Sequence, residues 1–149
     1  MGRSFQTLSF IASPSMEALA AREELIRIYG DVPQDKADVI VALGGDGFML
    51  QTLHSTMNSG KLVYGMNRGS VGFLMNDYST ERLQERICVA VENAFRPLKM
   101  TTVQCRRHQI QRALAINEVY LFRQVLSGRQ SQGGVRRART PGRADLATD

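Results

Sequence analysis

One stretch sets the terms for the whole chain: Val39-Ile-Val-Ala-Leu-Gly-Gly-Asp-Gly47. Five apolar residues without polar alternation, the first three β-branched, run straight into a glycine-rich turn. Such a run fits a strand buried on both faces of a parallel sheet, because helices cover both sides of that kind of sheet. The strand then ends at the carboxyl edge of the sheet, where α/β proteins bind their ligands. The glycines permit a tight turn and let backbone come close to a phosphate. Asp46 is the one side chain in the loop with chemistry to offer. Its carboxylate can take a proton from a hydroxyl or hold a metal. The plainer reading of the same residue is a turn-forming Asp between glycines.

The flanking pattern alternates strands and helices. Phe5 to Ala12 reads as a first strand, and Ser13-Pro14 as the start of a helix that runs to Tyr29 and stops at Gly30. Ala18, Ala21, Leu25 and Ile28 fall on one face of it at helical spacing. After the central strand, Phe48 to Met57 reads as a second helix with Leu50, Leu53 and Met57 as its apolar stripe. Leu62 to Met66 reads as a third strand, leading into a second glycine-containing loop, Asn67-Arg-Gly-Ser-Val-Gly-Phe-Leu74. Two such loops on neighbouring strands can wall one nucleotide crevice. Ser79 or Thr80 caps a further helix, Glu81 to Phe95, in which Leu83, Ile87, Val91 and Phe95 recur every four residues. Beyond Pro97 the pattern favours strands, at Met100 to Gln104 and Ala113 to Phe122. Asn117 and Glu118 interrupt the second of these. An amide and a carboxylate side by side in an apolar strand call for a solvated face or a binding site.

Composition narrows the function classes. The 149 residues are 43% hydrophobic, enough for a core. No apolar run has membrane-spanning length, and the N-terminus lacks the order of a signal peptide. Cys88 and Cys105 lack metal-ligand spacing and read as reduced thiols of a cytoplasmic protein. The net charge of +5 would suggest nucleic acid, but residues 127–149 carry five arginines against two aspartates and so supply +3 of it. Nucleic acid is therefore not an expected partner. Residues 125–149 hold few large apolar side chains and read as disordered. His54 is expected to pack on its helix, and neither it nor His108 is assigned a metal. Arg68 is expected to be solvated, although its loop could bring it to a phosphate.

With these residues in view, the chain resembles the NAD kinase family over about residues 4–124. Three features carry the resemblance in the family's order: Gly44-Gly-Asp-Gly47 after a strand, Asn67-x-Gly-x-x-Gly-Phe-Leu74, and Asn117-Glu118. The resemblance implies a Rossmann-like three-layer α/β domain over 1–98. It implies the opening strands of a β-sandwich over 99–124, incomplete here. It implies phosphoryl transfer from ATP or polyphosphate to the 2′-hydroxyl of the adenosine ribose of NAD, with a divalent cation, Mg²⁺, on the phosphates. By position, Asp46 would deprotonate or orient that hydroxyl, and Gly44, Gly45 and Gly47 would admit phosphate. Asn67 would help bind the nucleotide, Phe73 would pack near the adenine, and Asn117 and Glu118 would hydrogen-bond NAD. Outside the resemblance, Phe73 reads as a core aromatic and Asn67 as part of a left-handed turn. Full-length members are expected to be homo-oligomers. The family's β domain continues past Arg123 with a Gly-Ser-Thr-Ala-Tyr-Asn-type motif that this sequence lacks. The switch in character near Val125 suggests that the tail is out of frame. Two alternatives stay open: an inactive nucleotide-binding fragment, and a lipid kinase of the diacylglycerol type that shares the first glycine loop.

Overall fold

The computed structural model describes residues 5–70, 72–104, 109–116 and 118–119. Strands β1 (Leu8–Ala12), β2 (Val39–Gly44) and β3 (Leu62–Asn67) form a parallel sheet in the order β1-β2-β3. The register pairs Phe10 with Val41 and Val41 with Tyr64. All six residues of the central strand are buried, as its unbroken apolar run requires.

Alternation along the strands divides the sheet into two faces. Leu8, Phe10, Val39, Val41, Leu43, Tyr64 and Met66 pack against Ala18, Ala21 and Leu25 of α1 (Met16–Tyr29) and against Leu83 and Ile87 of α3 (Leu83–Val89). Gly65 pairs with Ala42 and belongs to the other face. A Cβ added there would stand 3.1 Å from Met49 Sδ, which places α2 (Asp46–Thr56) over that face. Helices thus cover both faces of a parallel sheet, and the chain is α/β.

The sheet's outer edges are covered. On β1, Asp31 Oδ1 accepts from Phe10 N at 2.9 Å, and Arg22 Nε donates to Phe10 O at 2.7 Å. On β3, Asn76 N donates to Gly65 O at 2.9 Å and Asn76 O accepts from Asn67 N at 2.8 Å. Edges blunted in this way resist pairing with another chain.

Several local expectations shift. The ladder of β1 starts at Leu8 rather than Phe5, because Gln6 N and Thr7 N donate instead to Asp38 Oδ2, each at 2.9 Å. Helix α1 is capped by Ser15, whose Oγ accepts from Ala18 N at 3.2 Å, and not by Ser13, whose own N–H is taken by Leu43 O. Ile28 is 54% exposed, so the inward face of α1 ends at Leu25. Helix α2 buries Met49, Thr52 and Thr56 instead of the stripe Leu50, Leu53 and Met57. The glycine beneath it leaves room for a Met side chain. Thr52 and Thr56 return their hydroxyls to Phe48 O and Thr52 O, at 2.9 and 2.8 Å, so neither hydroxyl is buried unpaired.

Helix α3 is shorter than predicted. It ends at Val89 and leaves Val91 84% exposed and Phe95 48% exposed. Its first residue is held from outside: Tyr29 Oη accepts from Leu83 N at 3.2 Å and donates to Thr80 O at 2.6 Å. Ser79 binds Glu81 N rather than capping the helix, and Arg82 takes the cap position in the left-handed region at φ 50°.

Strands β4 (Leu98–Gln104) and β5 (Gln109–Ala115) form an antiparallel pair with Val103 opposite Ile110. β5 begins and ends earlier than the predicted Ala113–Phe122. His54 does not pack into its helix. It is exposed, with Nε2 3.2 Å from Leu114 O of β5. Beside it, a cavity of about 220 Å³ lies among Leu53, Met57, Lys61, Phe95 and Leu114. It also touches Leu62 and Val63 at the start of β3, the opposite end of that strand from the glycine loops. Cys105, His108, Asn117 and the tail 125–149 lie outside the described residues.

Candidate functional site

Both glycine loops leave the same edge of the sheet, because β2 and β3 are parallel neighbours. Gly44 ends β2, Gly45 is the extended N-cap of α2 at φ −109° and ψ −177°, and Asp46 is the helix's first residue. A carboxylate there faces the positive end of the helix dipole. Asp46 Oδ2 accepts from Phe73 N at 2.8 Å, and Oδ1 accepts from Leu74 N at 3.1 Å. One side chain therefore fastens the second loop to the first. Each of its oxygens keeps a further lone pair for an incoming hydroxyl.

The close fit explains which glycines are needed. A Cβ on Gly72 would overlap the Asp46 carboxyl group, its Cγ only 2.8 Å away. At Gly44 it would stand 3.0 Å from Phe48 Cβ. At Gly45 and Gly47 it would meet nothing within 4 Å, so these two border open space. Arg68 N donates to Gly44 O at 2.8 Å and carries the β2–β3 pairing into the loops.

Asn67 uses both ends of its amide on its own loop. Oδ1 accepts from Gly69 N at 2.9 Å and Nδ2 donates to Ser70 O at 3.1 Å, a side-chain-closed turn. Phe73 is 97% exposed, which overturns its reading as a core aromatic. Its ring stands in solvent beside the Asp46 tie. Arg68 is not the freely solvated arginine expected. Its guanidinium carbon lies 4.2 Å above the centre of the Tyr78 ring. Tyr78 Oη donates to Glu24 Oε2 at 2.7 Å, and burial, reinforced by that acceptor, pushes the phenol up to about 12.

Gly44, Gly45, Asp46, Gly47, Asn67 and Phe73 thus gather at one sheet edge. Glu118 does not join them by any hydrogen bond among the described residues. It is exposed, lies beyond β5, and its N–H donates to Ile116 O at 3.1 Å. Asn117, predicted beside it, is outside the described residues. Sequence reasoning passed over Gly72 and Tyr78. Gly72 stands in the second loop motif and could have been singled out there. Tyr78 has no local signal, since its role comes from partners on α1 and in the loop. No group of three or more His, Cys, Asp or Glu suited to a metal ion occurs among the described residues.

The fold is α/β, and its glycine-flanked aspartate stands at a helix N-terminus on the carboxyl edge of a parallel sheet, where such folds bind their ligands. No family model matches the chain. It is 68% identical to an NAD kinase of Rhizobium meliloti over 124 residues, 83% of this chain and 48% of that protein. It is 56% identical over 118 residues to an NAD kinase of Caulobacter vibrioides, covering 79% of this chain and 45% of the relative. An NAD kinase of Mesorhizobium japonicum is 50% identical over 124 residues. By sequence, the chain belongs to the NAD kinase family. It spans about half the length of the curated relatives it matches. These relatives do not favour the lipid-kinase alternative.

Proposed function

We propose that this chain carries the phosphoryl-transfer half of an NAD kinase site, moving the terminal phosphate of ATP or polyphosphate to the 2′-hydroxyl of the adenosine ribose of NAD. The observation that carries this reading is the Asp46 carboxylate, held at the N-terminus of α2 between two glycine loops. The ribose oxygen attacks the terminal phosphorus, the bond to the departing phosphate oxygen breaks, and the hydroxyl proton passes to Asp46. Gly45 and Gly47 leave space for phosphate against bare backbone. The exposed Phe73 ring offers a face to the adenine, and Asn117 and Glu118 hydrogen-bond NAD. Asn67 shapes the loop that brings Phe73 and Leu74 to Asp46.

A divalent cation suits this donor set. Mg²⁺ commonly takes one or two carboxylates and fills its remaining positions with substrate phosphate and water, and Asp46 is the carboxylate available in the two loops. Bound there, it would neutralise phosphate charge. Residues 1–98 form the nucleotide-binding domain in this reading. Residues 99–124 begin an all-β domain, and the family's full-length members assemble as homo-oligomers in the cytoplasm.

The test is NADP formation from NAD with ATP and Mg²⁺, and separately with polyphosphate. Asp46→Asn should lower turnover by about 10²–10⁴-fold, the usual worth of a positioned base. Turnover that survives the substitution would remove Asp46 from the mechanism. A folded wild-type chain without turnover would instead be a nucleotide-binding fragment.

A further inference from the structure

Arg68 stands apart from the other arginines that order the α/β part. Arg22 donates to Phe10 O and Asp31, Arg82 to Glu85, and Arg86 to Ser79 O and Asp77 O. Each spends its donors on a protein acceptor. Arg68 makes no side-chain hydrogen bond or ion pair among the described residues, and its Nε is buried without a partner. An unsatisfied buried donor on a charged group is costly, and native structures rarely leave one without a reason. The side chain is nonetheless held, by stacking on Tyr78, and Tyr78 is in turn fixed by Glu24 of α1. Its backbone sits in the second glycine loop, bonded to Gly44 of the first.

We infer that Arg68 is a preorganised anion clamp of this crevice, binding a phosphate oxygen of the bound nucleotide, with Tyr78 as its positioning residue. The inference rests on the phosphate-handling reading above and adds a residue to it. Guanidinium is the group that suits this task. It stays charged, lies flat on an aromatic ring, and presents paired donors that match a phosphate. Stacking uses the face of the guanidinium and none of its N–H donors, and the Glu24 tie keeps the ring beneath it from turning. The phosphate belongs either to the donor's phosphate chain or to the pyrophosphate of NAD, and the two share the same chemistry.

Calorimetric titration of the full chain with inorganic tripolyphosphate, and separately with NAD, distinguishes these sources. Arg68→Gln should weaken one of the two about tenfold or more and flatten its salt dependence, while Arg68→Lys recovers part of the loss. Tyr78→Phe keeps the stacking ring but loses the Glu24 tie and should weaken binding only in part, whereas Tyr78→Leu should behave like Arg68→Gln. Circular dichroism of each variant separates lost binding from lost folding, and the Lys and Phe variants keep the test decisive if a harsher one fails to fold. Equal binding by folded Arg68→Gln and wild type overturns the inference, as does a wild type that binds neither ligand at millimolar concentration. Loss of tripolyphosphate or NAD binding in Arg68→Gln would sustain the clamp even if no NADP forms, so failure of the kinase reading is read separately.

Discussion

The parallel sheet and the β4–β5 pair use similar apolar residues to opposite effect. In the sheet, Val39, Ile40, Val41, Ala42 and Leu43 are each 1% exposed or less. In the antiparallel pair, Leu98, Val103 and Ile110 are 50%, 59% and 61% exposed. Helices on both faces and capped edges close the first region. The second has cross-strand partners but little covering it, and two strands alone make a marginal unit in water. Burial therefore comes from layers stacked on a strand and is no property of the strand's own sequence.

The sharpest way to break this contrast is one charge placed in each region. Val41→Asp should leave the chain unfolded, since an unpaired buried charge costs about 3–5 kcal/mol, a large share of a domain's stability. Val103→Asp should change the unfolding free energy by no more than about 0.5 kcal/mol. Denaturant unfolding followed by circular dichroism compares them, and equal losses would mean that the β4–β5 pair is buried after all.

A smaller contrast separates the two glycine loops. Gly72→Ala forces a methyl group onto the Asp46 carboxyl and should cost about 1–3 kcal/mol. Gly47→Ala enters open space within the first turn of α2 and should gain up to about 1 kcal/mol of helix propensity. Thermal unfolding of the two variants reads both signs. A Gly72→Ala chain as stable as wild type would mean that the loops are not locked by Asp46.

The smallest effect is in pH. The Tyr78 phenol is raised from the ordinary 10 to about 12 in the folded chain. The folded state holds this proton more tightly, so its contribution to stability is fully present below pH 10 and fades as pH climbs to 12. Tyr78→Phe should remove that part of the alkaline loss. Denaturant midpoints measured at pH 9 and pH 11 check it, and an unchanged pH dependence would place the phenol outside the folding linkage.

Much of the fold was legible from residue order. The run Val39 to Leu43 announced a doubly covered strand, Ala18, Ala21 and Leu25 announced the buried face of α1, and the motif glycines announced two neighbouring loops. Periodicity was less dependable where a helix lies over an uneven surface. Helix α2 turned Met49, Thr52 and Thr56 inward, with Met49 sharing the space over Gly65 with Met75, and pattern alone cannot tell which stripe meets a glycine. Helix α3 stopped after two turns although its four-residue repeat continued to Phe95.

For the site, the sequence by itself determined the parts. It supplied an aspartate among glycines at the end of a buried strand, a second loop with Asn67 and Phe73, and a relationship to NAD kinases strong enough to survive on half their length. Backbone conformation and apolar patterning are local, so a linear reading reaches them. Only the tertiary structure decided what those parts touch. It spent the Asp46 oxygens on Phe73 N and Leu74 N, left Phe73 in solvent and laid Arg68 on Tyr78. The Asp46 ties and the Arg68 stack depend on groups brought together by packing, and no spacing along the chain encodes a distance between them; the Asn67 turn, closed within its own loop, is local.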